Sequence, residues 1–150
     1  MSKRAPLDEI REVLLSDAAS PAKAERIADH IRRSGNYRWV GIYEVNGGEI
    51  AILGWSGAGV PAHPRFPVAQ GLCGAAVASR NTVIAGDVTR DPRYLTTFGS
   101  TRSEMVVPVF GPAGRGVVAV IDVESERVDA FTDEDRDFGE RCASAIAGLW

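Results

Sequence analysis

Cysteine is nearly missing from this chain of 150 residues: Cys73 and Cys142 stand far apart and outside any CxxC pairing. That argues against a disulfide framework and against a structural zinc site, so neither a metal nor another cofactor is expected. Histidine occurs only twice. His30 lies in a helical stretch with no second ligand at helical spacing and reads as a boundary residue. Long apolar runs are lacking too. None approaches the roughly 20 residues of a membrane span, and the start, MSKRAPLDEIREVLL, has no apolar segment leading to a small-residue cleavage site. No basic block is present: 17 Lys and Arg against 20 Asp and Glu leave a net charge of −3. Nucleic acid and membrane surfaces are therefore not expected partners, and a cytoplasmic location is the default. The glycine clusters match neither GxGxxG nor a P-loop.

What is present is apolar pattern, at 45% hydrophobic residues, enough for the core of one domain. Its most informative stretch is SEMVVPVFGPAGRGVVAVIDVES, Ser103 to Ser125, two apolar runs joined by a Gly/Pro turn, FGPAGRG, as in a β-hairpin. Three acids interrupt it. Alternation puts Glu104 on one face with Val106 and Pro108, and puts Asp122 and Glu124 on one face with Val118 and Val120. A carboxylate on a covered sheet face must be neutralised, paired or hydrogen-bonded. Three readings are open at this point: a bound ligand, an open and hydrated end of a pocket, or a protein cation such as Arg102 or Arg115.

Before that hairpin, Leu7, Ile10, Val13 and Leu14 recur at helical spacing. A second helix follows, with Ser20 as N-cap, Pro21 in the first turn, a stripe of Ala24, Ile27, Ala28 and Ile31, and Gly35 as its stop. YRWVGIYEV and GEIAILGW then form a hairpin around Asn46-Gly47-Gly48, with Trp39, Gly41, Tyr43 and Val45 on one face and Val40, Ile42 and Glu44 on the other. Trp39 and Tyr43 are either core aromatics or stacking platforms beside a pocket. An irregular stretch holds a short edge strand near Arg65 to Val68. A helix then starts around Gly71, where the N–H groups of Gly71, Leu72 and Cys73 suit an anion such as a ligand carboxylate. A short strand, Thr82 to Ala85, leads into a long polar loop, Asp87 to Thr101, the kind of segment that often acts as a lid. Thr132 to Asp135 reads as a capping box for a last helix with Phe138, Cys142, Ala145 and Leu149 along one side, Cys142 being a packing residue. Neighbouring strands in hairpins make this an α+β domain on an antiparallel sheet.

Four segments carry a family resemblance: WVGIY; FPVAQGLCGAAVASRNTVIAGDV; DPRY with RSEMVVPV; and GVVAVIDVES with FTDEDRDF. The sequence resembles a GAF domain, a PAS-like small-molecule-binding module. The resemblance implies a central antiparallel sheet of six strands, N- and C-terminal helices on one face, and a ligand pocket roofed by loops and short helices on the other. Residues 1–36 would supply the N-terminal helices packed on the sheet and 37–150 the GAF domain, as one structural unit.

Within that family the chain is most similar to the free methionine-(R)-sulfoxide reductases. This implies ligand-binding positions at Trp39, Tyr43, Glu104, Asp122 and Glu124, the last in place of a usual aspartate, with Gly71, Leu72 and Thr97 beside them. The reductases' catalytic cysteine, seven positions ahead of the glutamate, corresponds to Thr97, and another family cysteine corresponds to His63. A hydroxyl cannot replace a thiolate in this chemistry. The expectation is therefore a binding or sensing module for an amine or amino-acid-like ligand, the alternative being a reductase that uses Cys73. The resemblance also implies a homodimer through the terminal helices. With no kinase, cyclase or DNA-binding segment in these 150 residues, a signal is expected to pass to a separate partner.

Overall fold

Period-2 patterning in the two long hairpins becomes one six-stranded antiparallel sheet whose strands lie side by side in the order Arg65–Pro67, Glu49–Gly57, Trp39–Asn46, Val117–Ser125, Ser103–Phe110 and Val83–Ala85. The computed structural model describes residues 4–112 and 115–150, with side chains from Leu7 onward, so the middle of the FGPAGRG turn, Ala113 and Gly114, lies outside the described residues. In chain order the elements are α1 (Arg4–Leu15), α2 (Ser20–Gly35), β1 (Trp39–Asn46), β2 (Glu49–Gly57), β3 (Arg65–Pro67), α3 (Gly71–Ser79), β4 (Val83–Ala85), β5 (Ser103–Phe110), β6 (Val117–Ser125) and α4 (Asp133–Ile146). A 3-10 turn at Val88–Arg90 opens the long loop between β4 and β5, and another at Ala147–Leu149 follows α4. Among the described residues no helix is long and apolar enough to cross a membrane.

Alternation along the strands divides the interior into two cores. On one face, Val40, Ile42, Met105, Val107, Val109, Ala119, Ile121 and Val123 pack with the apolar stripes of α1, α2 and α4, including Ile10, Ile27, Phe138, Cys142 and Ile146. On the other, Trp39, Tyr43, Ile50, Val106 and Val120 pack under α3 and the loops, with Phe66, Leu72, Cys73 and Val88. α4 starts as its sequence dictates: the Thr132 hydroxyl accepts from the Asp135 N–H while the Asp135 carboxylate accepts from the Thr132 N–H. Trp150 closes the other end of that helix layer by donating its indole N–H to Glu44 at 2.9 Å.

Two details of the expected pattern are corrected. Val118 does not share a face with Asp122 and Glu124. Val109 pairs with Ala119 but Phe110 pairs with Val117, so Val118 is the extra residue of a bulge and turns to the helix-side core, leaving Val117 on the other side. In α2, Ser20 lies inside the helix, which begins after Ala19 without a side-chain cap. At its other end Asn36, not Gly35, takes the left-handed position, at φ 54°.

Candidate functional site

Register across the three central strands brings the acids together. Glu104 on β5 stands opposite Glu124 on β6, and Asp122 is two residues from Glu124 on the same face. On the other side of β6, Trp39 pairs with Glu124 and Gly41 with Asp122. Gly41 is needed there: a Cβ at that position would overlap the Trp39 ring and crowd the Tyr43 ring, so glycine lets both aromatics lie against the acid-bearing strand.

The result is a cluster of three carboxylates, each no more than 3% exposed, with one oxygen from each lying within 4.8 Å of the others. Asp122 Oδ1 and Glu124 Oε2 are buried without a hydrogen-bond partner. Glu124 Oε1 accepts from the Thr101 hydroxyl at 2.9 Å and from the Tyr94 hydroxyl at 3.3 Å. Neither expected arginine serves the cluster. Arg102 is turned outward, donating to the carbonyls of Gly99 and Thr101, and Arg115 is exposed at the hairpin turn. Among the described residues none of the three acids forms an ion pair with Lys or Arg.

Unpaired burial sets the protonation. Loss of water, then the neighbouring charge of Glu124, pushes the Glu104 carboxyl up to about 8; loss of water, then the charge of Asp122, pushes Glu124 up to about 9. Asp122 is raised well above the carboxylate range by burial and by Glu104. At neutral pH the empty cluster therefore keeps protons that exposed acids would have lost. Such a donor set is acceptor-rich, hard and cation-seeking, able to take an ammonium group or an oxygen-coordinated cation.

A small cavity of about 10 Å³, room for about one water, lies above the acids. Tyr43, Gly71, Leu72, Cys73, Thr97, Glu104 and Asp122 line it, together with three residues not expected there from alternation, Phe66, Leu95 and His63. Trp39 and Glu124 stand just outside the lining: Trp39 is next to Tyr43 with ring centroids 6.4 Å apart, and Glu124 is within the carboxylate cluster. The first turn of α3 thus reaches the same cavity as the acids, which places an N–H-rich helix end and a carboxylate cluster at one point. Gly71 allows it, with φ at 75° and Leu95 lying 3.2 Å from where a Cβ would be.

The roof comes from the long loop. Phe98 stacks edge-on against Trp39 at 5.4 Å, and the Tyr94 hydroxyl accepts from the Thr97 N–H at 3.3 Å while reaching Glu124. The Ala62 N–H donates to the Thr97 carbonyl, joining this loop to the one that carries His63. Tyr94, Phe98 and Thr101 had no signal in the periodicity; the length of their loop marked them, and Tyr94 also falls in the DPRY segment of the family resemblance. Cys73 sits under this roof, 5% exposed, its thiol pushed well up by burial and by the charges of Asp122, Glu104 and Glu124. It is held as a neutral thiol, a poor nucleophile.

Fold and cavity together define an α+β domain that commits one sheet face to packing and keeps a roofed polar cavity on the other. The chain belongs to the GAF domain family, whose match spans residues 22–149. It is 32% identical over 110 residues to the free methionine-R-sulfoxide reductase of Saccharomyces cerevisiae, a match covering 72% of this chain and 60% of the yeast protein, less than two thirds of that relative's length. Among solved structures it is similar to the free methionine-R-sulfoxide reductase of Neisseria meningitidis in complex with its substrate, with a TM-score of 0.87, 28% identity and coverage of 98% of this chain and 87% of that one. It is also similar to a type II free methionine-R-sulfoxide reductase of Thermoplasma acidophilum, with a TM-score of 0.81, 28% identity and coverage of 93% and 94%.

Proposed function

We propose that this protein binds an amine or amino-acid-like small molecule, with the ammonium group on Glu104, Asp122 and Glu124 and an anionic end toward the first turn of α3. One observation carries this reading: Asp122 Oδ1 and Glu124 Oε2 are buried acceptors without a partner, in a cluster that no Lys or Arg of the described residues neutralises. A cationic ligand supplies what the protein leaves out. Trp39, Tyr43 and Phe66 give the aliphatic part of such a ligand an apolar wall. Similarity to reductases that act on free methionine-R-sulfoxide supports an amino-acid-sized ligand.

Recognition and chemistry come apart in this reading. Sulfoxide reduction needs a thiolate to attack the sulfoxide sulfur and a second thiol to release the first as a disulfide, with the oxygen leaving as water. The cysteine that the resemblance puts at the lid is Thr97 here, and Cys73 is buried as a neutral thiol. The role is thus sensing or binding on a reductase-like scaffold. A homodimer through the terminal helices belongs to the same proposal; Leu15, at the end of α1 and 86% exposed, is available to it.

Calorimetry with free methionine-R-sulfoxide, methionine and N-acetylmethionine tests the reading. Binding of the free amino acids that is lost on N-acetylation and in Asp122→Asn supports it; no binding of any amine removes it. A reductant-coupled assay separates the second reading. Turnover by the native chain that disappears in Cys73→Ser would establish a reductase using Cys73, whereas turnover appearing only in Thr97→Cys would place the missing chemistry at the lid.

A further inference from the structure

We propose that the segment Tyr94–Thr101 is a lid governed by charge balance in the carboxylate cluster: closed over protonated acids or over acids holding a cation, open when the cluster is anionic and empty. The inference rests on the ligand reading above for its cation-bound state but not for its empty state.

Three observations lead to it. The cavity under the roof has room for about one water, too little for an amino-acid-sized ligand unless the roof moves. The roof is fastened to the cluster itself: Thr101 donates to Glu124 Oε1 at 2.9 Å, and the Tyr94 hydroxyl, which accepts from the Thr97 N–H, has its one proton in reach of both Glu124 Oε1 at 3.3 Å and the Phe98 carbonyl at 3.4 Å, so the lid's own fold and its attachment share one hydroxyl. Finally, among the described residues the closed cluster has no Lys or Arg as countercharge. The titratable groups facing it are Tyr43 from β1, Cys73 from α3, His63 from the loop before β3 and Tyr94 from the lid, with the charge of Asp91 also felt at Glu104. No Lys or Arg lines that cavity.

The sign follows from burial. In the closed state the acids titrate far above the exposed carboxylate range, and opening to water returns them toward it. Closure is therefore favoured by protons: it is fully present below the exposed range and is lost as pH rises through the values of about 8 and about 9 that Glu104 and Glu124 have when covered. An ammonium group reverses this. Its one positive charge lets one of the three acids stay ionised inside the closed site, and Glu124 when ionised is a stronger acceptor for the Thr101 hydroxyl than the protonated acid. A ligand cation thus exchanges with protons and reseals the roof.

Amide hydrogen exchange at Thr97, Phe98 and Gly99, normalised to intrinsic rates and followed from pH 6 to pH 10 without ligand, tests the lid. Protection is expected to fall by up to about tenfold per pH unit for each proton released, and to fall less steeply, by one proton's share, in Glu124→Gln, where Glu104 and Asp122 still titrate. Flat protection in the native chain overturns the proposal. Should Glu124→Gln fail to fold, alkylation of Cys73 is the second measurement, with Cys142 in the opposite core as the control for global unfolding. Cys73 exposure rising with pH beyond what thiol ionisation explains, while Cys142 stays protected, supports the lid; parallel exposure of both overturns it. Free methionine at about pH 8.5, where its amino group is still mostly an ammonium, should restore protection. Methionine binding without any change at the lid rejects the lid and spares the ligand reading; a lid that responds to pH while methionine never binds rejects the ligand reading and spares the lid.

Discussion

The two faces of one sheet obey different rules. The helix-side core is an apolar cluster covered by three regular helices, each presenting a stripe at helical spacing, and the buried hydroxyls of Ser103 and Thr82 at its margin are hydrogen-bonded within the protein. The pocket-side core has a short helix and loops for a cover, and three carboxylates take positions that alternation would give to Val or Ile. Its strands are the same strands. One face is thus selected for burial, the other gives up stability for an unneutralised acidic cluster, and a single residue step along β5 or β6 separates the two regimes.

The sharpest way to break this contrast is a cavity on the packed side. Phe138→Ala removes a fully buried ring from the helix-side core and should cost about 3–5 kcal/mol by denaturant unfolding, yet leave ligand affinity unchanged wherever the protein remains folded. A matching loss of affinity would mean that the two faces do not behave independently. A smaller effect of opposite sign is expected across the sheet. Because Glu104 is raised to about 8 in the folded chain, its ionisation opposes folding as pH rises from the ordinary carboxylate range through that value; Glu104→Gln should therefore raise stability at pH 8, by up to about 4 kcal/mol, while weakening amine binding. Destabilisation at pH 8 would show that the carboxylate is satisfied as it stands. The smallest effect belongs to α4: Thr132→Ala, which deletes half of a capping box, should cost about 1 kcal/mol and leave the pH dependence untouched.

Much of this division was legible in the residues. Alternation alone put Asp122 and Glu124 on one face of β6 and Glu104 on one face of β5; that these faces are the same, with Trp39 and Tyr43 on it, was implied by the family resemblance, and the register of β1, β5 and β6 shows the placement. Val118 was misplaced because a bulge shifts parity, and nothing in VVAV marks where one will fall. Asn36 displaced Gly35 at the end of α2 because either residue can take a left-handed cap. The roof was the least legible part. Tyr94, Phe98 and Thr101 sit in a loop without period, and their closeness to Trp39 and Glu124 is a tertiary fact no local pattern encodes. Leu95 against Gly71 and His63 beside Thr97 belong with them.

The placement of the two sulfurs carries one more consequence. Cys73 lies in the core beneath the roof and Cys142 in the core beneath α4, with the full sheet between them. A disulfide joins cysteines whose Cα atoms are within about 7 Å, so the folded chain cannot link this pair. The sheet is an insulator between them. An oxidation event at Cys73 cannot be passed inward and stored as an internal bond. It must be discharged by a thiol arriving from solution, and each two-electron cycle would then draw both electrons from outside the protein.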